Sequence, residues 1–330
     1  MKRFLSLGLA IGLGLVGILA GCSSSSEKIR IGEVTRSLFY APQYVAIEKG
    51  FFSKEGLNVE LTTTWGGDKT MTALLSDGID VALVGSETSI YVAAQGAQDP
   101  VINFAQLTQT DGTFLVSRKQ VDSFSWDQLK GSTFLGQRKG GMPQMVGEYV
   151  LKKHLVEPHK DLNLIQNIEF KNITSAYASG TGEYVQLFEP DASTVEKSGI
   201  GHVVASFGKE SGKVPYTAFM SKQSFIQKHE DSIQKFTNAI FKGQQWVATH
   251  SPKEVADTIA PYFKDIKPDI LESAVKRYQE QRSYATDPIL EESEWNNLQD
   301  IMAEAGELKA RIPYKQLVNT TFAEKAKAGR

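Results

Sequence analysis

Four short stretches set polar or aromatic side chains beside small residues, each where an apolar run gives way to an amphipathic one. Ser37-Leu38-Phe39-Tyr40 follows the first such run, Trp65-Gly66-Gly67-Asp68 the second and Gly85-Ser86-Glu87-Thr88 the third, while Gly140-Gly141-Met142 opens a later amphipathic segment. Read as strand ends turning into helix N-termini, these loops offer unpaired N–H groups and a partial positive charge. Such groups hold anions or polar heads without a charged side chain. Glycine lets the backbone approach a ligand closely, and Phe39, Tyr40 and Trp65 carry flat faces for stacking. Each residue also has a structural reading. Gly66-Gly67 with Asp68 is equally a turn and N-cap, Ser86 an N-cap, Trp65 a cover for a sheet edge and Glu87 a partner for a helix dipole. Gln109, Thr110, Tyr177 in "SAYASG" and Glu189 in "LFEPDAS" complete the candidate ligand-binding set.

The chemistry on offer is reversible capture, with no catalytic residue and no metal or cofactor expected. The five histidines, His154, His159, His202, His229 and His250, form no i, i+4 pair and no HExxH. "GKESGKV" has three residues between its glycines where a phosphate loop needs four, and Val where Ser or Thr must reach the metal. No G-x-S-x-G elbow occurs, and Glu291-Glu292 are adjacent on a helical stretch and do not face one another.

One cysteine, Cys22, stands among 330 residues. Lys2 and Arg3 precede an almost unbroken apolar run, Phe4 to Ala20, which reads as the n- and h-regions of a leader. Leu19-Ala20-Gly21-Cys22 resembles the lipobox of bacterial lipoproteins, implying cleavage after Gly21 and acylation of the Cys22 thiol by palmitate-type chains. Residues 1–21 are then a signal peptide and 22–27 a serine-rich tether. Without that leader no internal disulfide, thiol nucleophile or cysteine metal site can form. Loss of Lys2 and Arg3 takes 36 basic side chains to 34, against 38 acidic ones, so a nucleic-acid partner is not expected.

The elements that must position the candidate residues alternate. "IRIGEV", "LNVELTTT", "DVALVG" and "VINFAQLTQT" read as strands, separated by helical "APQYVAIEKGFFSKEG", "DKTMTALLSDG" and "ETSIYVAAQG". A second series follows "DGTFLVSRK", with strands at "STFLGQ", "NLIQNIEF", "YVQLF" and "HVVASF"; beyond "PYTAFMSK" the pattern is helical. Alternation of this kind predicts parallel pairing in doubly wound α/β sheets, with ligands at the C-terminal strand ends. Two series and a helical tail predict two lobes joined by two crossings, near Thr110 to Phe114 and Val214 to Ala218. Residues 28–113 and 216–330 form the first lobe and 114–215 the second.

"YAPQYVAIEKGFFSKEGLNVEL" followed by "GGDKTMTALLSDGIDVALVGSETSIYVAAQG" resembles the solute-binding proteins of ABC importers for nitrate, sulfonates and taurine, a family that includes binders of thiamine pyrimidine precursors. The resemblance runs from Ile29 to about Phe263. It implies a two-lobed, periplasmic-binding-protein-like fold closing about a hinge. It also implies a small-molecule ligand, partnership with a permease and its ATPase subunit, and a lipid-anchored place on the extracytoplasmic face of the cell membrane. The same resemblance reaches a eukaryotic thiamine-pyrimidine synthase, whose cysteine-rich metal motif and reactive histidine are absent here. A surface lipoprotein with no transport role is the remaining alternative. The ligand turns on two side chains. If Glu87 or Glu189 faces inward, a neutral or amine-bearing ligand such as a pyrimidine is favoured; if both face away, the helix N-termini favour an anion.

Overall fold

The structure, a computed structural model, describes residues 27–329. The leader, the acylation at Cys22 and the serines after it lie outside the described residues, and Glu27, expected in the tether, already belongs to the first strand. β1 (Glu27–Glu33), β2 (Leu57–Thr63), β3 (Val81–Gly85) and β4 (Val101–Thr108) lie in one sheet; β5 (Thr113–Ser117), β6 (Thr133–Leu135), β7 (Asn163–Ile165), β8 (Tyr184–Phe188) and β9 (His202–Ser206) form another; β10 (Thr217–Lys222) returns to the first. The orders are β2-β1-β3-β10-β4 and β7-β6-β8-β5-β9.

The alternating pattern predicts parallel pairing, and to the parallel strands of each sheet the structure adds one antiparallel strand that the pattern does not mark. β10 runs against β3 and β4, and β5 against β8 and β9. The cause is connectivity. The other strands are reached through helical crossovers and therefore run the same way. β5 and β10 are reached by short passages from the neighbouring sheet, so they enter at the end where the others finish. "APQYVAIEKGFFSKEG", which reads as a helix closing at Gly50 or Gly56, divides into Ala41–Glu48 and Phe51–Lys54 at Gly50, whose φ of 67° an L side chain rarely adopts.

Each face of the first sheet is covered. Helix Glu230–Thr249, the longest described, turns Ile233, Phe236, Ile240 and Val247 onto one face, where Phe236 packs edge-on against Phe104 and Phe219. On the other, Met71 and Leu74 of helix Gly67–Leu75 meet Ala82, Val84 and Met220. Helix Glu230–Thr249 approaches helix Ala41–Glu48 so closely that a Cβ on Gly243 would lie 2.3 Å from the Pro42 carbonyl oxygen. Gly243→Ala is expected to cost about 1–3 kcal/mol through overpacking, outweighing alanine's helix propensity. Thermal unfolding reads this as a fall in Tm; a rise would mean that the two helices separate freely. No helix among the described residues is long and apolar enough to cross a membrane.

C-terminal helices strap the two sheets together. Arg277, on helix Pro268–Gln281, bridges Glu189 and Glu196 at 2.7 Å each, and Lys197 pairs with Asp269 at 2.6 Å. On another side Lys152 of helix Met142–Lys153 reaches Glu304 of helix Glu292–Glu304 at 3.2 Å.

Candidate functional site

The strand ends converge where the chain passes between sheets. Gly85, ending β3, and Thr108, ending β4, both pair with Thr217 at the start of β10. Across the gap Phe188, ending β8, pairs with Thr113, and Ser206, ending β9, with Phe114. The passages themselves are tied side by side, Val214 N–H donating to the Gln109 carbonyl at 3.0 Å and Tyr216 N–H to that of Thr108 at 3.2 Å. Ligands of open α/β sheets lie beyond such carboxyl ends.

Glu87 lies at the centre of this convergence. It opens helix Glu87–Ala94 directly after β3 and is 5% exposed. Burial lifts its carboxyl to about 7, against the opposing pull of two backbone N–H groups, its own and that of Met142 at the N-terminus of the Met142–Lys153 helix. Two helix N-termini, one from each half of the molecule, thus face the same carboxyl, the arrangement that favours negative charge there. Its Oε2 is buried without a hydrogen-bond partner, as is the Oγ of Ser86. Ser86 adopts helical dihedrals and makes no side-chain cap. Desolvation raises the hydroxyls of Tyr40, Tyr91 and Tyr216, and the Glu87 charge adds to each rise. Tyr91 Oη also reaches across the halves to Met145 Sδ at 3.7 Å.

A second buried acid stands in the first passage. Asp111 Oδ1 accepts from the Thr113 N–H at 2.6 Å and from the Thr113 hydroxyl, while Oδ2 and the nearby Tyr216 hydroxyl form no well-aligned bond. Burial lifts this carboxyl to about 6, with Thr113 and Tyr216 acting the other way.

The other expected residues divide into three groups. Phe39, fully buried, packs between the halves, 5.1 Å from Tyr278, edge-on to Tyr216 at 5.4 Å, 6.0 Å from Phe188 and 6.2 Å from its neighbour Tyr40. Gly140 and Gly141 precede the helix whose N-terminus meets Glu87, and Gly140 N–H donates to Gln144 Oε1 at 3.0 Å. These residues, with Ser86 and Glu87, come together.

A second group is engaged in holding the frame. Ser37 caps a short 3-10 turn, its Oγ accepting from Phe39 N–H at 3.2 Å. Gln109 Nε2 donates to the Arg282 and Tyr284 carbonyls, and Thr110 Oγ1 to Ser283 Oγ. The Glu189 carboxylate is fully engaged by Arg277 and by the backbone and hydroxyl of Ser193. Gly66 and Gly67 start helix Gly67–Leu75 at the end of β2, and Trp65 beside them is 64% exposed rather than laid over the sheet edge.

Tyr177 stands apart. Its loop was expected to face the gap, but the ring is buried at the opposite end of the second sheet, under the Arg118 guanidinium at 4.2 Å and next to Gly201. The sequence pattern does not show at which end of a sheet a short helix returns. Tyr91 and Tyr216 are additions to the site, the crossing at Val214 to Ala218 spanning Tyr216 without marking its side chain, while Asp111 is an acid that the sequence already places on the rim. Among the described residues no three of His, Cys, Asp and Glu converge as a metal-binding group.

Three comparisons bear on this geometry. The model of the NMT1-like family matches residues 23–261. YtlA of Bacillus subtilis (strain 168), which carries the name of a binding protein, is 64% identical over 329 residues, covering 98% of each chain. The ligand-binding component of an ABC-type import system from Staphylococcus aureus, solved with zinc bound, superposes with a TM-score of 0.72 at 16% identity over 91% of this chain and 99% of that one. The alkanesulfonate-binding protein SsuA from Xanthomonas axonopodis pv. citri, bound to MOPS, gives 0.71 at 16% over 89% and 98%. At such identities the structural likeness speaks for the fold alone: two α/β halves in the periplasmic-binding-protein arrangement.

Proposed function

Because the chain belongs to the NMT1-like family, we propose that it is the extracytoplasmic solute receptor of an ABC importer. It takes a small polar molecule between its two sheets and passes it to a permease driven by a separate ATPase subunit. The observation that carries this reading is the pair of buried, unpartnered polar atoms, Ser86 Oγ and Glu87 Oε2, at the meeting point of helix N-termini from both halves. Buried polar atoms are rarely left unpaired, and a bound solute would supply the missing partners. The names of the structural neighbours, one a sulfonate binder and one a component of an import system, support transport over catalysis.

The purified protein is to be screened by thermal shift against taurine, alkanesulfonates, nitrate, thiamine, aminopyrimidines and riboflavin. A true ligand at a hundred times its dissociation constant adds about 2.7 kcal/mol of stability, a rise of about 4 °C for a chain of this size. A panel without any shift would remove the receptor reading.

Acylation at Cys22 is the second part of the proposal, supported by the lipobox-like Leu19-Ala20-Gly21-Cys22. Cys22→Ser is expected to move the protein from the membrane fraction to the soluble one with ligand affinity unchanged. Retention of the variant at the membrane would mean that the leader itself is the anchor.

A further inference from the structure

We propose that the part of the solute buried deepest carries hydrogen on nitrogen, as an ammonium, amidinium or amino-substituted ring, and that Glu87 is its partner. This rests on the receptor reading above and narrows the ligand it admits.

The argument begins with what already occupies the positive ends of the helices. Helix Met142–Lys153 and helix Glu87–Ala94 both present N-termini to one point, an arrangement that would otherwise hold an oxyanion. Here the protein's own carboxyl is placed on it. The fit is close: a Cβ on Gly85 would lie 2.1 Å from Glu87 Oε2, so glycine at the end of β3 is what leaves the side chain room to fold back. An anionic head brought to the same point would meet a like charge.

Among the described residues no basic group is seen to act on the Glu87 carboxyl. The groups acting on it are its own N–H and that of Met142, and the titratable groups facing it are Tyr91 from its own helix, Tyr40 from the turn after β1 and Tyr216 from the second passage. Two basic residues of the neighbouring loops are engaged elsewhere, Arg36 with Glu33 at 2.9 Å and Arg138 with Glu169 at 3.3 Å. Oε2 therefore has a vacant acceptor position. Aromatic rings face the carboxyl, Tyr40, Tyr91 and Tyr216, and Phe39 packs against Tyr40 at 6.2 Å and Tyr216 at 5.4 Å. Rings around a buried carboxylate suit a nitrogen cation or an aminated ring, which gains from both. Because burial also raises the carboxyl, a cationic solute binds its ionised form and affinity falls as the pH drops below 7.

Calorimetric titration of the full chain with two matched pairs tests this. Taurine and isethionate share a sulfonate and differ in ammonium against hydroxyl; 4-amino-2-methylpyrimidine and 2-methylpyrimidine differ only in the amino group. The expected result is that the nitrogen-bearing member of a pair binds at least tenfold more tightly than its partner. Glu87→Gln should weaken it by about 10- to 100-fold, the range for a lost charged hydrogen bond, while the variant keeps its circular dichroism spectrum. For wild type, binding of a cationic member should weaken between pH 8 and pH 6. Equal binding of both members, or tighter binding of isethionate or nitrate by Glu87→Gln than by wild type with the amines unaffected, would overturn the Glu87 assignment and leave the receptor reading standing. Absence of binding by every member, with no shift in the wider panel, would remove the receptor reading and this inference with it.

Discussion

In a protein carrying Arg277→Ala, the urea midpoint at pH 7 is expected to fall by the equivalent of about 3–5 kcal/mol, the usual cost of stranding a buried charge. The Arg277 guanidinium bridges Glu189 and Glu196 at 2.7 Å each and lies 5.4 Å from the centre of the Phe114 ring. Glu189 has no exposed side-chain surface, and without Arg277 only Ser193 still donates to it. Glu189→Gln removes the charge along with the bridge and should cost less. Arg277→Ala in that background should then cost less than in wild type, by a coupling of about 1–3 kcal/mol. Burial raises the Glu189 carboxyl above its ordinary value and Arg277 opposes the rise. The variant's loss is therefore largest at high pH and shrinks as Glu189 takes up a proton on acidification. A loss below about 1 kcal/mol in urea would mean that this strap between the halves is no more than a surface pair.

Glu87→Gln is expected to do the reverse, raising stability as it weakens ligand binding. The native carboxyl titrates at about 7 because it is buried, and its ordinary value is 4.5. Between those values the folded protein holds a proton that the unfolded chain has lost, so the stabilisation is complete below 4.5 and disappears as the pH rises through 7. By pH 8 wild type has lost about 3 kcal/mol relative to a neutral isostere at this position. Differential scanning calorimetry should place Glu87→Gln about 5 °C above wild type at pH 8, with the gap shrinking to about 1 °C at pH 5. A gap independent of pH would mean that the carboxyl titrates at its ordinary value in the native state as in the unfolded chain. Gain of stability with loss of binding is the signature of a strained functional group.

Much of the architecture is legible in the pattern of residues. Strands at "DVALVG" and "YVQLF" and helices at "ETSIYVAAQG" and "MPQMVGEYVLKKHL" are where alternation and apolar spacing place them. The antiparallel direction of β5 and β10 is not, because direction depends on where a strand enters its sheet and leaves no trace in its own composition. "NLIQNIEF" shows a related limit: its apolar residues predict a longer strand than β7, and the stretch breaks after Ile165 before a short turn at Phe170–Asn172.

The candidate site follows the same division. Ser86, Glu87, Gly140 and Gly141 sit at junctions between neighbouring elements, and local sequence finds such junctions. Whether a carboxylate there is paired depends on distant residues. Glu189 and Glu87 look alike in sequence, yet Glu189 meets Arg277, 88 positions away, and Glu87 meets only backbone and tyrosines. Asp111 and Tyr216 are joined by the adjacency of the two passages, a tertiary fact, and Tyr177 shows that a loop after an edge strand can return to either end of a sheet.

The central claim is that the Glu87 carboxyl is the vacant acceptor that a solute fills. Carbon-13 NMR of protein labelled at the glutamate carboxyl, with Glu87 assigned by the signal missing from Glu87→Gln, reads that group directly. In the free protein its signal is predicted to titrate near pH 7 and, with a saturating nitrogen-bearing ligand from the matched pairs, to stay ionised well below pH 6. A carboxyl that titrates near 4.5 in the free protein, or whose midpoint is unmoved by a ligand the protein binds, would contradict the account.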